Sequence, residues 1–227
     1  MSLRYVAGVS LPRSGHHLIA RLLGRYFGTD FLYCSFYDNP DCCRTFPCSR
    51  PEVNYSKSHD FDDEARLDVG VPLLVQYRDV VPATISDFEL YLRSGKEDTK
   101  AVFEQFAMTK ARMWGEFVAK WVDGDAAGER LIIAYEDLTG DPDNALRSAI
   151  TFCGGDVDED RLCSFAASER RNIVTKSGAH WVEGAGVANH RRIEEFRFYD
   201  DELFQRMRER AAQVRASRVS KAGPIDP

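Results

Sequence analysis

Residues 5 to 27 place the tightest constraint on what this chain can fold into. Tyr5-Val6-Ala7-Gly8-Val9-Ser10-Leu11 is a short, apolar, β-branched run, Pro12-Arg13-Ser14-Gly15 is a turn, and a helical pattern follows. That helix carries Leu18, Ile19, Leu22, Leu23, Tyr26 and Phe27 on one stripe and leaves Arg21 and Arg25 outside it. Strand, tight turn and helix in this order open a βαβ unit. The helix start then aims unpaired amides and the positive end of its dipole at whatever lies above the sheet, so an anion belongs there.

The alternation continues along the chain. Val53 to His59, Val71 to Tyr77 and Leu131 to Tyr135 read as further strands, and a short one is expected near Phe31 to Phe36 within the otherwise irregular 30–54 stretch. Near-continuous apolar runs suit a parallel sheet covered on both faces. Pro82 sits where a first helical turn tolerates it, in a helix expected to reach Leu92. Phe103, Phe106, Met113, Trp114, Phe117 and Trp121 mark one side of a longer helix and read as core packing. Asp141-Pro142 supplies an N-cap and a proline at the first helical position, for a helix ending at Gly154-Gly155, and a last helix is expected over 200–216. Residues 170–192 read as an exposed loop and the tail from Ala222 as frayed. Strands alternating with helices specify an α/β fold of three layers, a central parallel β-sheet flanked by helices. At 227 residues the expectation is one domain spanning 1–227.

Composition narrows the function classes. With 44% hydrophobic and 29% charged residues the chain is globular, which excludes a largely disordered protein. A net charge of −6 argues against a general nucleic-acid binder, so any anion site must be local. No run approaches the roughly 20 apolar residues of a membrane span. Met1-Ser2-Leu3-Arg4 leads straight into a strand-like segment rather than a signal peptide, so a cytoplasmic location is expected. Of six cysteines, Cys34, Cys42, Cys43 and Cys48 crowd into one loop-like stretch. Reduced thiols are the expectation there, with disulfides and a Zn²⁺ site as the alternatives, although the adjacent Cys42-Cys43 pair lacks the two-residue spacer of zinc knuckles.

Two groups of residues carry the chemistry. Arg13 supplies a fixed charge, Ser14 a hydroxyl and Gly15 room for backbone to approach phosphate oxygens. The turn is not a Walker A loop, since Gly8 and Gly15 lie seven apart and no Lys-Ser or Lys-Thr follows. A phosphate or phosphosulfate cradle without bound Mg²⁺ fits better. Arg78, just past a strand end, and Ser86, on the following helix, can grip a second phosphate.

Leu11-Pro12-Arg13-Ser14-Gly15-His16-His17-Leu18 is similar to the 5′-phosphosulfate loop of the sulfotransferase family, usually Tyr-Pro-Lys-Ser-Gly-Thr-Thr-Trp. Arg78 and Ser86 resemble that family's 3′-phosphate pair at its own spacing. Lys57-Ser58-His59 looks like its Lys-Thr-His segment, and Tyr135-Glu136-Asp137-Leu138 matches its Tyr-Glu-Asp-Leu signature after a central strand. Asn189-His190 is similar to its Asn-His pair, with Lys176-Ser177-Gly178, Arg191 and Arg192 as candidates for further contacts. The resemblance implies a P-loop NTPase-like sulfotransferase fold with a nucleotide-binding core over 1–155 and a segment over 156–227 completing the site. It also implies transfer of a sulfuryl group from 3′-phosphoadenosine 5′-phosphosulfate to a hydroxyl or amine of a small-molecule or carbohydrate acceptor, with no metal required. His59 becomes the general base, and Arg13 and Lys57 stabilise charge. Arg13, Ser14, Gly15, His16, His17, Arg78, Ser86 and Tyr135 become nucleotide contacts. Arg13 stands in place of the usual Lys, exchanging a compact ammonium for a planar fork. Leu18 stands in place of a Trp beside the adenine, and one imidazole of His16 or His17 substitutes for a hydroxyl donor. The competing readings are a Mg²⁺-dependent P-loop-type kinase and a module that binds a 3′-phosphonucleotide without turning it over.

Overall fold

A computed structural model describes residues 3–35, 42–60, 65, 70–124, 128–162 and 192–219. Five strands form one sheet: β1 (Val6–Ser10), β2 (Tyr33–Cys34), β3 (Tyr55–Ser58), β4 (Leu73–Tyr77) and β5 (Arg130–Ala134). Every pairing is parallel and the order is β2-β3-β1-β4-β5. The first strand in sequence therefore lies in the middle, and all five of its residues are buried. Parallel neighbours require crossovers, which α1 (His16–Phe27), α2 (Val80–Leu92), α3 (Lys100–Phe117), α4 (Tyr135–Gly140) and α5 (Pro142–Phe152) help to supply. Helix α6 (Asp201–Val219) follows.

The period-two alternation of a strand sorts the core. Val6, Tyr55, Leu74 and Ile133 point to one face and pack with Leu18, Ile19, Leu22 and Leu23 of α1 and Leu146, Ala149 and Ile150 of α5. Ala7, Val9, Leu73 and Val75 point to the other face and meet Phe117, Val118 and Trp121. A third cluster joins α2, α3 and α6 through Phe88, Phe103, Phe204 and Met207. At the α3–α6 crossing a side chain on Gly115 would come within 2.6 Å of the Ala211 carbonyl, so only glycine permits that approach. The expected three-layer α/β class is the observed one.

Local signals read as expected where the partner is close in sequence. Asp141 accepts from the Asn144 amide at 3.2 Å, with Pro142 at the first helical position. The helix with Pro82 in its first turn ends at Leu92 as expected, and its N-cap, which the sequence reading did not single out, is Asp79, which accepts from the Val81 amide at 3.0 Å. Other boundaries differ. The strand expected over 53–59 is confined to Tyr55–Ser58, and the one expected near 31–36 is the two-residue Tyr33–Cys34. Tyr135 opens α4 instead of closing β5, and β5 lies at an edge of the described sheet, so the Tyr-Glu-Asp-Leu segment does not follow a central strand. After Phe117 the third helix continues as a π-helical turn over Val118–Asp123. Among the described residues no helix is long and apolar enough to cross a membrane.

Candidate active site

Four neighbouring strands each release a residue of interest just past their carboxyl ends: β3 leads to His59, β1 to Arg13, β4 to Arg78 and β5 to Tyr135. Because all the strands are parallel, these ends share one edge, and the crevice there is where open α/β sheets hold ligands.

The turn after β1 is held by the Leu11 amide on the Gln76 carbonyl at 3.0 Å and the Ser14 amide on the Leu11 carbonyl at 3.3 Å. Arg13 adopts a left-handed backbone with φ 66°, and its Nε donates to Ser86 Oγ at 2.9 Å. Ser86 thereby couples α2 to the first turn. Gly15 precedes α1 at φ 86°, and a Cβ there would stand 2.9 Å from Tyr135 Cδ2 and 3.1 Å from Leu138 Cδ2. The first turn of α1 has no acidic residue, and no side-chain hydrogen bond caps it. Ser14 Oγ is buried without a hydrogen-bond partner, an orphan polar atom that a phosphate oxygen would satisfy.

Gly15→Ala should strain both the backbone and the ring contact. The expected loss is about 1–3 kcal/mol of stability and should appear as a lowered urea midpoint. Gly140→Ala is the control, since nothing lies within 4 Å of its Cβ position. Equal midpoints for the two variants would show that the turn tolerates a side chain.

Arg78 is half-buried, and its guanidinium lies 4.1 Å from the centroid of the Tyr135 ring. Its Nε is a second buried atom with no partner. Burial lowers the Arg78 pKa, and the nearby charge of Arg13 contributes in the same direction. The Tyr135 ring fits between Gly15 and Arg78, which places Arg78 on the same edge as the first turn. Trp114 Nε1 donates to the Arg78 carbonyl at 2.7 Å, pinning the end of β4 to α3.

His59 Nδ1 donates to the Ser10 carbonyl at 2.7 Å and lies 3.2 Å from Ser10 Oγ. This bond sets the tautomer and leaves the lone pair on Nε2. Burial, followed by the charge of Lys57, lowers the His59 pKa to about 3. Lys57 is itself only 3% exposed. The next residue, Asp60, receives Lys120 Nζ at 2.6 Å and Trp121 Nε1 at 2.8 Å, so the π-helical turn anchors the segment that carries His59. His16 points inward, with Nε2 3.0 Å from Tyr33 Oη and its ring stacked 5.8 Å from that of Tyr55. Its pKa lies well below the usual range because it is buried, and Nδ1 has no partner. His17 is exposed.

Arg13, Ser14, Gly15, Arg78, Ser86 and Tyr135 therefore come together along one edge, with Lys57 and His59 one strand away. Leu18 is 1% exposed and belongs to the core, so it offers no surface for stacking a base. Arg192 is exposed and pairs with Glu194 at 3.9 Å, while Lys176, Ser177, Gly178, Asn189, His190 and Arg191 lie outside the described residues. Sequence reasoning missed Ser10 and Gln76, and it read Trp114 as core packing without its bond to Arg78. Gln76 is an amide within an apolar strand, fully buried with Oε1 unpartnered, and that break in pattern was the available signal.

The fold and the edge together define an α/β protein of the sulfotransferase fold. Among solved structures the chain is similar to mouse sulfotransferase SULT7A1 complexed with PAP, at TM-score 0.59 and 15% identity, covering 96% of this chain and 89% of that one. It is also similar to retinol dehydratase in a complex with retinol and PAP, at TM-score 0.52 and 13% identity, covering 100% and 85%. No family model and no curated protein matches the chain.

Proposed function

We propose that this chain is a sulfotransferase that moves a sulfuryl group from 3′-phosphoadenosine 5′-phosphosulfate to a hydroxyl or amine of an acceptor, with His59 as general base. The observation that carries the reading is that His59, Arg13 and Arg78 follow the carboxyl ends of three adjacent parallel strands, β3, β1 and β4, and so share one edge of the sheet.

The residues present fit such a nucleotide. Ser14 Oγ and Arg78 Nε are buried polar atoms awaiting partners, and glycine at 15 lets the turn pack directly on the Tyr135 ring that also supports Arg78. Arg13, Ser14 and the amides at the start of α1 would hold the 5′ end. Arg78 and Ser86 would hold the 3′-phosphate. Tyr135 braces Arg78 from below and keeps its fork oriented. When bound, the nucleotide supplies an activated sulfuryl group on a leaving phosphate. Arg13 offsets the charge that develops on that phosphate, and Lys57 offsets charge near the transferred group. His59 Nε2 takes the proton of the acceptor, while the Ser10 carbonyl holds Nδ1–H and keeps the ring in the reactive tautomer.

Solved relatives of this fold hold PAP, and one also holds retinol, which supports an adenine nucleotide and a small organic acceptor as the substrate classes. The test is calorimetry with 3′,5′-diphosphoadenosine, ATP and 5′-AMP, with and without Mg²⁺. The expected result is strong preference for the 3′-phosphorylated nucleotide, independent of Mg²⁺. Preference for Mg²⁺–ATP would make the chain a kinase, and tight binding of 3′,5′-diphosphoadenosine with no product from any acceptor would make it a binding module.

A further inference from the structure

Four thiols gather on the side of the sheet where β2 pairs with β3. Cys34 is the last residue of β2 and is buried, while Cys42, Cys43 and Cys48 come from the loop that follows. The sulfurs of Cys34, Cys42 and Cys43 lie within 4.8 Å of one another. Cys34 Sγ is 3.2 Å from Cys42 Sγ, and Cys43 Sγ is 3.3 Å from Cys48 Sγ. In a tetrahedral Zn²⁺ site with Zn–S bonds near 2.3 Å, neighbouring sulfurs stand about 3.8 Å apart. The two measured pairs are somewhat closer than that value and the three-sulfur group extends no further than 4.8 Å, so small side-chain shifts would seat the ion. All four are free thiols in this structure, so the cluster is not explained by a bond already made.

Cys43 Sγ lies 3.0 Å from Thr45 Oγ1 and donates to the Thr45 carbonyl at 3.7 Å. The Arg44 amide donates to Cys42 Sγ at 3.3 Å. Such an N–H donor stabilises charge on a metal-bound sulfur and orients it, whereas a disulfide sulfur carries no charge for it to offset. Arg44 reaches this arrangement with a left-handed backbone at φ 55°. The geometry supplies what the spacing lacked, because the fourth ligand comes from an edge strand and not from a Cys-x-x-Cys pair.

We propose that Cys34, Cys42, Cys43 and Cys48 form a structural site for one Zn²⁺ ion, which ties the 42–50 loop to the edge of the sheet. Soft thiolate ligands in a closed set of four select Zn²⁺ over the oxygen-seeking divalent cations. The site lies close to the proposed chemistry without touching it. Cys34 is in register with Ser56, the residue before Lys57, and Tyr5 Oη bridges Ser56 Oγ and the Cys48 amide. The ion therefore fixes the loop that flanks the Lys57–His59 strand, and it does so whether or not the chain transfers sulfuryl groups.

The test begins with the full chain purified in reductant without chelator and assayed by elemental mass spectrometry. The expected content is about one zinc per chain, with Co²⁺ reconstitution giving thiolate charge-transfer absorption. Cys43→Ser and Cys48→Ser should lose most of the metal, while Cys153→Ser, which alters a buried cysteine outside the cluster, should retain it. Wild-type chain gives a readout that needs no variant: a chelator should expose Cys42, Cys43 and Cys48 to alkylation, and added Zn²⁺ should protect them again. Several results would overturn the assignment: disulfides mapped as Cys34–Cys42 and Cys43–Cys48, alkylation indifferent to chelator and Zn²⁺, or iron in place of zinc.

Discussion

Replacing His59 by Ala is expected to lower turnover by roughly 10²- to 10⁴-fold while leaving affinity for 3′,5′-diphosphoadenosine nearly unchanged. The imidazole sits at the end of β3 with Nδ1 committed to the Ser10 carbonyl, so its role is to move a proton at Nε2 rather than to grip phosphate. Its pKa near 3 fixes the pH dependence. Burial and the charges of Lys57, His17 and Lys110 all disfavour the imidazolium, so the base form persists well below the usual histidine range. In the free protein kcat/KM should therefore stay level from about pH 8 to about pH 5, where an unperturbed histidine with pKa about 6.5 would already be mostly protonated. A bound anion beside Lys57 favours the charged imidazole, so the acid limb of kcat should lie at higher pH than that of kcat/KM. Wild-type turnover in His59→Ala would remove the base from the mechanism.

Arg78→Ala should weaken binding of 3′,5′-diphosphoadenosine by about 10- to 100-fold, the equivalent of roughly 1.5–3 kcal/mol for a lost charge-assisted contact. The loss should be selective. Binding of 5′-AMP, which lacks the 3′-phosphate, should change little, and calorimetry with both nucleotides separates the two outcomes. Arg78→Lys should restore only part of the affinity, because the flat guanidinium that rests on Tyr135 is replaced by a point charge. An equal drop for both nucleotides would mean that Arg78 supports the edge of the sheet and does not read the 3′ position. That alternative has a structural basis, since Trp114 holds the Arg78 backbone and Tyr135 its side chain.

Much of this edge was legible before the structure. Gly15 was singled out as the point where backbone must approach an anion, and it adopts φ 86° there. Arg78 was expected just past a strand end and lies one residue beyond Tyr77. The pairing of side chains was not legible. Ser86 was grouped with Arg78, yet it accepts its hydrogen bond from Arg13, because the left-handed backbone at Arg13 turns that side chain toward α2. His16 was expected to face a ligand and instead lies against Tyr33 and Tyr55. For the four cysteines the sequence left reduced thiols, disulfides and a Zn²⁺ site side by side, since no spacing rule connects an edge strand to a loop.

The sequence by itself determined the elements whose causes are local: the buried run of β1, the apolar stripe of α1, and the caps at Asp79 and Asp141, each set by residues within a few positions of one another. Tertiary structure alone decided the strand order β2-β3-β1-β4-β5, and with it everything that depends on neighbours far apart in the chain. Tyr135 reaches Gly15 across 120 residues, Asp60 reaches Trp121 across 61, and Cys34 joins Cys43 only after β2 has paired with β3. The physical reason is that a parallel sheet brings together strands separated by long crossovers. Hydrophobic periodicity specifies which face of each strand is buried, but only the packed sheet specifies which strand lies beside it.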